Sequence, residues 1–235
     1  MQSPEVKSAL REEGLREMSE KGIHDTGKLY SFDQEFLSQK GILSLAGVDE
    51  AGRGPLAGPV VAAAVILDQK NFIPGLNDSK QLKEKTREQL YALITEQALF
   101  WSTGLSSAQE VDRLNVLRAT FLAMQRALEK IGDTCPLYLI DGNQSIPEIP
   151  RDKQQTVVKG DSLSASVAAA SIVAKVTRDR MMRSFHEQYG NYDFDKNKGY
   201  GTAEHIKSIK KFGLSPVHRR SFCEHFLVQI QLEFD

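Results

Sequence analysis

The chain has 235 residues, of which 40% are hydrophobic and 26% charged, and its 30 basic and 31 acidic side chains leave a net charge of -1. This balance excludes a globally basic nucleic-acid binder, so contact with a polyanion must depend on a local patch. The sequence has no run of about 20 apolar residues and no basic N-terminal segment followed by an apolar one. Cys135 and Cys223 follow no metal-binding spacing. We therefore expect a soluble, cytoplasmic monomer that does not contact membranes.

Residues 1–40 are polar and charged, with few apolar positions, and are interpreted as a helical N-terminal appendage. The pattern predicts a charged helix from Lys7 to Lys21. Ser31 is a candidate N-cap for a second, short helix that reaches Gln39. No catalytic motif occurs in this stretch, so the main domain is expected to span residues 41–235.

Apolar, β-branched segments from residue 42 onward predict the strands of one sheet. Residues 42–49 and 60–67 flank a glycine-rich turn and predict a hairpin. A third strand is expected at 98–105, and two short buried strands are expected at 137–140 and 155–159. Helical patterns occur at 84–97, 107–131, 161–190, 203–211 and 222–232. Strands that later alternate with helices predict an α/β fold, in which helices flank a mixed five-stranded sheet and further helices follow at the C-terminus.

Four acidic residues lie at informative positions. Asp49 and Glu50 end a buried strand, Asp141 ends another, and Asp179 shares one face of the long helix with Lys175. Taken singly, Asp141 is typical of a turn and Asp179 of a solvated helix position. Together, clustered carboxylates repel one another unless a cation neutralises them, and oxygen ligands suit Mg²⁺ or Mn²⁺. Two such ions can hydrolyse a phosphodiester.

Several long segments of the chain resemble, in the same order, the signatures of bacterial ribonuclease HII, a family of type 2 ribonucleases H. The resemblance covers residues from about 45 to about 225. The related ribonuclease HIII family has Gly-Thr-Gly where this chain has Gly52-Arg53-Gly54, which favours ribonuclease HII. The matching segments are GVDEAGRGP (47–55), NDSKQL (77–82), LIDG (139–142), KGD (159–161) with AAASIVAKVTRD (168–179), KGYGT (198–202) with His205, and SPVHRRSF (215–222).

The resemblance implies a ribonuclease H-like fold in which Asp49, Glu50, Asp141 and Asp179 hold two divalent ions, Mg²⁺ or Mn²⁺. It also implies hydrolysis of the RNA strand of RNA/DNA hybrids and cleavage on the 5′ side of ribonucleotides embedded in duplex DNA. The products would carry 5′-phosphate and 3′-hydroxyl ends. The expected partners are therefore RNA/DNA hybrids and DNA duplexes that contain ribonucleotides.

Such an enzyme must recognise a single 2′-hydroxyl, which distinguishes RNA from DNA at that nucleotide. Glycines let the main chain approach a sugar that a Cβ atom would block. The resemblance assigns this recognition to Gly52, Arg53 and Gly54, together with Tyr200, which packs on the sugar at the junction. An exposed hairpin turn is the alternative interpretation of the Gly-Arg-Gly segment alone.

Basic and polar residues elsewhere are candidates for contacts with the duplex backbone. Ser79 and Lys80 are candidate phosphate ligands or, alternatively, the start of a helix. Lys175 either neutralises the carboxylates or contacts phosphate. Arg219 and Arg220 lie in a C-terminal basic stretch that fits either a duplex contact or a solvated helix face.

Two other classes of function stay open from the residues alone. A DNA transposase or resolvase of the same fold also uses carboxylates and metal ions, and cleavage of an all-DNA duplex would favour it. A non-catalytic duplex-binding module would keep every measured function after the substitution Asp49→Asn. The set of four carboxylates favours the enzyme.

Overall fold

The computed structural model describes residues 20–224 and Phe226, and a five-stranded sheet forms its centre. The strands are β1 (Ala46–Ala51), β2 (Val60–Ile66), β3 (Phe100–Ser106), β4 (Tyr138–Asp141) and β5 (Gln154–Val157). They lie in the order β3-β2-β1-β4-β5. β2 pairs antiparallel with β1 and β3, whereas β4 pairs parallel with β1 and β5. The predicted hairpin and mixed sheet are confirmed.

Helices surround this sheet, and the helix expected at 84–97 has these bounds in the structure. Within the described part of the chain, no helix is long and apolar enough to cross a membrane. The α-helices are α1 (Glu20–Lys40), α2 (Glu84–Gln97), α3 (Ala108–Leu114), α4 (Val116–Leu128), α5 (Ala165–Gln188), α6 (Phe194–Asn197) and α7 (Ala203–Phe212). A 3₁₀ turn, Gly160–Ser162, precedes α5.

The helix α5 packs closely against β1, which brings its residues to the end of that strand. Ala168, Ala169 and Ala170 are fully buried in the core that α5 shares with β2. A Cβ atom on Gly47 would lie 2.1 Å from the backbone of Ser166, so glycine permits this approach. Because side chains alternate along a strand, Asp49 faces α5 as Gly47 does.

The single helix expected over residues 107–131 is wrong, because the structure divides it into α3 and α4. Asn115 separates them with φ 69° and ψ 164°, so the chain leaves the helical conformation at this residue. Its side chain accepts hydrogen bonds from the amides of Leu117 and Arg118 and so caps α4. A local side-chain cap thus interrupts a continuous apolar pattern.

The N-terminal stretch also differs from its prediction. Ser31 does not cap a short helix, because it lies inside α1 and its hydroxyl donates to the Gly27 carbonyl. The helix predicted from Lys7 to Lys21 lies almost entirely outside the described residues. The same holds for the helix expected near 222–232, of which residues 222–224 and Phe226 are helical in the structure.

The described part of the predicted appendage packs against the main core. Leu29 and Tyr30 belong to the buried cluster on the α5 face of the sheet. Asp33 is fully buried, and its carboxylate accepts hydrogen bonds from the Ser164 hydroxyl and from the amide and hydroxyl of Ser166. These groups belong to the first turn of α5, where a carboxylate also interacts favourably with the helix dipole. Helix α1 therefore holds the N-terminus of α5 in place.

The substitution Asp33→Ala is expected to lower the free energy of unfolding by about 1–3 kcal/mol, since it leaves buried donors at the start of α5 unsatisfied. The matched control Glu35→Ala alters an exposed position of the same helix. It is expected to change stability by less than about 0.5 kcal/mol. Urea-induced unfolding measures both values, and equal stabilities of the two variants would contradict this role of Asp33.

Candidate active site

Three carboxylates meet at the edge of the sheet where β1 and β4 end. Asp49 lies near the end of β1, Asp141 is the last residue of β4, and Asp161 lies in the 3₁₀ turn before α5. One carboxylate oxygen of each lies within 4.8 Å of the others. Asp49 and Asp161 are buried, and the Asp161 amide donates to the Asp141 carboxylate at 3.4 Å. We call these three residues the acidic cluster.

The electrostatics of this region favour the binding of a cation. Burial raises the pKa of Asp49 well above its usual value, and the charges of Glu50 and Asp141 raise it further. Burial also raises the pKa of Glu50, although Arg53 opposes the shift. The pKa of Asp141 is raised by burial and then by Asp161. The ionised forms are therefore poorly compensated by the protein's own charges.

The donor set fits a hard divalent cation. Every candidate ligand atom of the acidic cluster is a carboxylate oxygen, which is the chemistry that Mg²⁺ and Mn²⁺ prefer. Lys80 Nζ lies 3.2 Å from Asp161 Oδ2, and its side chain is 76% exposed. Burial lowers the pKa of Lys80, but the Asp161 carboxylate outweighs this effect, so the net shift is upward.

Asp179, the fourth metal ligand that the resemblance implies, lies outside the acidic cluster. Its carboxylate accepts from Lys175 Nζ at 2.7 Å, one turn earlier on α5, and its charge also acts on Arg178 and Lys198. Asp161 is the residue that meets Asp49 and Asp141 in the structure. The sequence places Asp161 soon after a predicted strand at 155–159. In the structure that strand, β5, pairs parallel with β4, so the turn that follows it lies beside Asp141.

A cavity of about 270 Å³ opens beside Asp49 and Asp141. The structure brings most of the predicted site residues together here and leaves out Asp179, Arg219 and Arg220. The predicted residues that line the cavity are Asp49, Glu50, Gly52, Arg53, Gly54, Ser79, Lys80, Asp141, Lys175 and Tyr200.

The two glycines beside this cavity differ in their surroundings. Gly52 has a φ of 96°, and a Cβ atom there would lie 2.0 Å from Arg178 Nε. A Cβ atom on Gly54 would instead meet its nearest neighbour, the Tyr200 ring, at 4.0 Å. Tyr200 is 46% exposed. Gly52 is thus required by the fold, whereas Gly54 leaves open space in front of an accessible aromatic ring.

Arg219 holds the loop after β1 from inside the protein, so the expected contact with duplex phosphate is wrong for this residue. Its side chain has no exposed surface. The guanidinium donates to the carbonyls of Gly52, Arg53, Pro55 and Gly58 at 2.5–3.0 Å. Its donors therefore fix the main chain of the Gly-Arg-Gly segment.

Arg178 supports the same loop from α5, and sequence reasoning assigned it no role. It is 1% exposed, and it donates to the carbonyls of Ala57, Pro59 and Lys198, each at 3.0 Å. Arg178 lies in the charged segment KVTRDRMMR (175–183), so no local pattern distinguishes it from the other basic residues of that segment. Arg178 joins the loop after β1 to the segment that leads to Tyr200.

The other candidate contacts differ in accessibility. Ser79 is buried, and its hydroxyl accepts from the Ser171 hydroxyl at 2.7 Å. Lys175 is partly buried in its ion pair with Asp179. Arg220 is exposed, and its amide donates to the Asp112 carboxylate. Lys80 and Arg220 are thus the more accessible cations among the candidates for phosphate contact.

Comparison with known proteins places these features in a family. A family model described as Ribonuclease HII matches residues 46–225. The ribonuclease HII of Endomicrobium trichonymphae is 53% identical over 194 residues, 83% of this chain and 91% of that protein. That of Caldanaerobacter subterraneus is 50% identical over 196 residues, 83% of this chain and 80% of that protein.

The fold agrees with this relationship. The crystal structure of the ribonuclease H2 from Pyrococcus horikoshii matches with a TM-score of 0.65 and 26% sequence identity, over 80% of this chain and 99% of that chain. The family match spans the acidic cluster, the Gly-Arg-Gly segment and Tyr200. The chain belongs to the ribonuclease HII family.

Proposed function

We propose that this protein is an endoribonuclease that hydrolyses the RNA strand of RNA/DNA hybrids and cuts on the 5′ side of ribonucleotides embedded in duplex DNA. The observation that supports this proposal is the shared cavity. Asp49 and Asp141 of the acidic cluster line the same space as Gly54 and Tyr200. A hydrolytic centre thus lies next to a surface suited to a sugar, in a chain of the ribonuclease HII family.

We infer that Asp49, Asp141 and Asp161, together with Glu50, hold two divalent ions, Mg²⁺ or Mn²⁺. When bound, such ions supply Lewis-acid chemistry that lowers the pKa of water and stabilises a leaving oxygen. The raised pKa values of Asp49, Glu50 and Asp141 support this assignment, because a cation favours their ionised forms. The expected products have 5′-phosphate and 3′-hydroxyl ends.

The residues around the cluster have separate roles in this proposal. Lys80 extends an exposed ammonium group beside Asp161 and is suited to contact a backbone phosphate near the scissile bond. Gly54 leaves the main chain open to a sugar, and the Tyr200 ring packs on the sugar at the junction. Arg53 is half exposed and ion-paired with Glu50, so its charge lies between the carboxylates and the substrate.

A duplex with one embedded ribonucleotide tests the proposal directly. The protein is expected to cut it 5′ of the ribonucleotide in Mg²⁺ or Mn²⁺, to leave an all-DNA duplex intact, and to stop in EDTA. Denaturing gels with end-labelled strands report the position and the ends of the products. Absence of cleavage in both metals would overturn the proposal, and cleavage of the all-DNA duplex would favour a DNA nuclease of the same fold.

The pair Asp161→Asn and Asp179→Asn tests which aspartate completes the metal site. Asp161→Asn is expected to lower kcat/KM by at least about a hundredfold, since it removes a ligand of the acidic cluster. Asp179→Asn removes the ion pair with Lys175 and a charge that acts on Arg178 and Lys198, but no oxygen of the acidic cluster, and is expected to stay within about tenfold of the wild type. Isothermal titration with Mn²⁺ provides a second readout. A larger loss of kcat/KM in Asp179→Asn than in Asp161→Asn would refute the assignment of Asp161.

The substitution Gly54→Ala tests the approach of a sugar to the Gly-Arg-Gly segment. A Cβ atom fits there without a clash, so the melting temperature is expected to match that of the wild type. Cleavage at a single ribonucleotide is expected to fall about tenfold or more, because a methyl group would displace the sugar from its aligned position. Gly27→Ala, at an open position of α1, serves as the control. Unchanged kcat/KM in Gly54→Ala would exclude close contact at this residue.

A further inference from the structure

A buried pair of histidines lies behind Tyr200, away from the acidic cluster. His205, on α7, has no exposed surface, and His218 is 5% exposed. Their Nε2 atoms are 3.0 Å apart, and the rings of Tyr192 and Phe194 pack around them. Buried polar rings in aromatic surroundings need hydrogen-bond partners for every polar atom.

Main-chain groups at both ends of the pair determine where its protons lie. The Ser215 amide donates to His218 Nδ1 at 2.9 Å, so this nitrogen is an acceptor and the proton of the ring is on Nε2. That proton points at His205 Nε2, which therefore accepts. His205 then has its proton on Nδ1, which lies 2.8 Å from the Tyr200 carbonyl oxygen. A carbonyl oxygen can only accept, and this one also accepts a hydrogen bond from the Thr202 amide.

Two neutral rings satisfy this chain of hydrogen bonds. Burial lowers the pKa of both histidines, to about 4 for His218, where the neighbouring His205 adds to the shift. Each link then has one donor and one acceptor. The chain runs in one direction, from the Ser215 amide through both rings to the Tyr200 carbonyl.

The chain completes a set of bonds that hold the segment 198–200. The Lys198 carbonyl accepts from Arg178, and the Gly199 carbonyl accepts from the Leu56 amide at 2.8 Å. The third, that of Tyr200, accepts from His205. Three consecutive carbonyls are therefore tied to α5, to the loop after β1 and to the histidine pair.

We propose that His205 and His218 are positioning residues that orient the Tyr200 ring toward the sugar of the substrate. This inference rests on the proposed function, because it takes Tyr200 to contact the nucleotide at the junction. Neither histidine lines the cavity. They act through the main chain of Tyr200, whose carbonyl they hold by a directional hydrogen-bond chain.

A matched pair of variants isolates this bond. Asparagine at position 205 keeps an amide nitrogen where His205 has Nδ1, so it can still donate to the Tyr200 carbonyl. Leucine has the same shape and no donor. Both variants leave a similar space beside His218 and remove the ring nitrogen that accepts from it. They differ in the bond to Tyr200 and in the buried amide oxygen of asparagine, and the Tyr200→Ala background removes the second difference from the comparison.

The experiment measures kcat/KM on a duplex with one ribonucleotide for His205→Asn and His205→Leu, each also in a Tyr200→Ala background. The leucine variant is expected to be about fivefold less active than the asparagine variant, as one net hydrogen bond implies. This difference is expected to disappear with Tyr200→Ala. Equal ratios in both backgrounds, or no difference in the first, would overturn the inference. If the wild type failed to cleave, the proposed function would fail instead.

Imidazole ¹⁵N spectra of the unmodified protein test the chain without relying on a variant that must fold. Long-range ¹H–¹⁵N correlations are expected to show neutral His218 protonated on Nε2 and neutral His205 protonated on Nδ1. The loss of one set of signals in His205→Asn assigns the ring among the five histidines of the chain. A His205 protonated on Nε2 would exclude the bond to Tyr200.

Discussion

Two buried arginines determine the shape of the site, because their guanidinium groups donate to backbone carbonyls of the loop between β1 and β2. Arg219 donates to four carbonyls of this loop, and Arg178 donates to two others, those of Ala57 and Pro59, and to that of Lys198. Burial lowers the pKa of Arg178 to about 10 and that of Arg219 to about 9, with mutual repulsion adding to the second shift. Both stay charged at neutral pH. A loop without regular pairing thereby has its carbonyls satisfied and one conformation favoured.

The carboxylates of the acidic cluster, unlike the two arginines, have too few partners within the protein to compensate their charge. Arginine donors and loop carbonyls satisfy each other inside the protein, whereas Asp49 and Asp141 are desolvated beside other carboxylates and their pKa values rise. A divalent cation is the complement that such a group of oxygens requires. The loop and two aspartates of the acidic cluster line one cavity, so in the proposed function the group that contacts a sugar lies close to the group that binds the metal ions. This arrangement suits an enzyme that must act beside a single 2′-hydroxyl.

The sheet and α5 could be predicted because their signals are local. The apolar runs of β1 and β2 flank a glycine-rich turn, and the small residues of α5 indicated close packing, which the structure places opposite Gly47. The division between α3 and α4 depends on one conformation, the positive φ of Asn115, which an apolar periodicity does not report. The interior position of Asp33 depends on donors more than 130 residues away, at the start of α5. No local pattern contains that information.

The sequence by itself determined the family, the strands and most residues of the cavity, because motif spacing and hydrophobic periodicity are properties of short segments. Only the tertiary structure decided which aspartate meets Asp49 and Asp141. Asp161 and Asp179 both lie in segments that resemble the family, but the parallel pairing of β4 and β5 brings the turn with Asp161 to the cluster, and one helical turn pairs Asp179 with Lys175. It also decided that Arg219 faces inward. From sequence alone, a charged side chain is expected to be exposed to solvent. Its burial becomes favourable only where the folded chain places enough carbonyl acceptors around it.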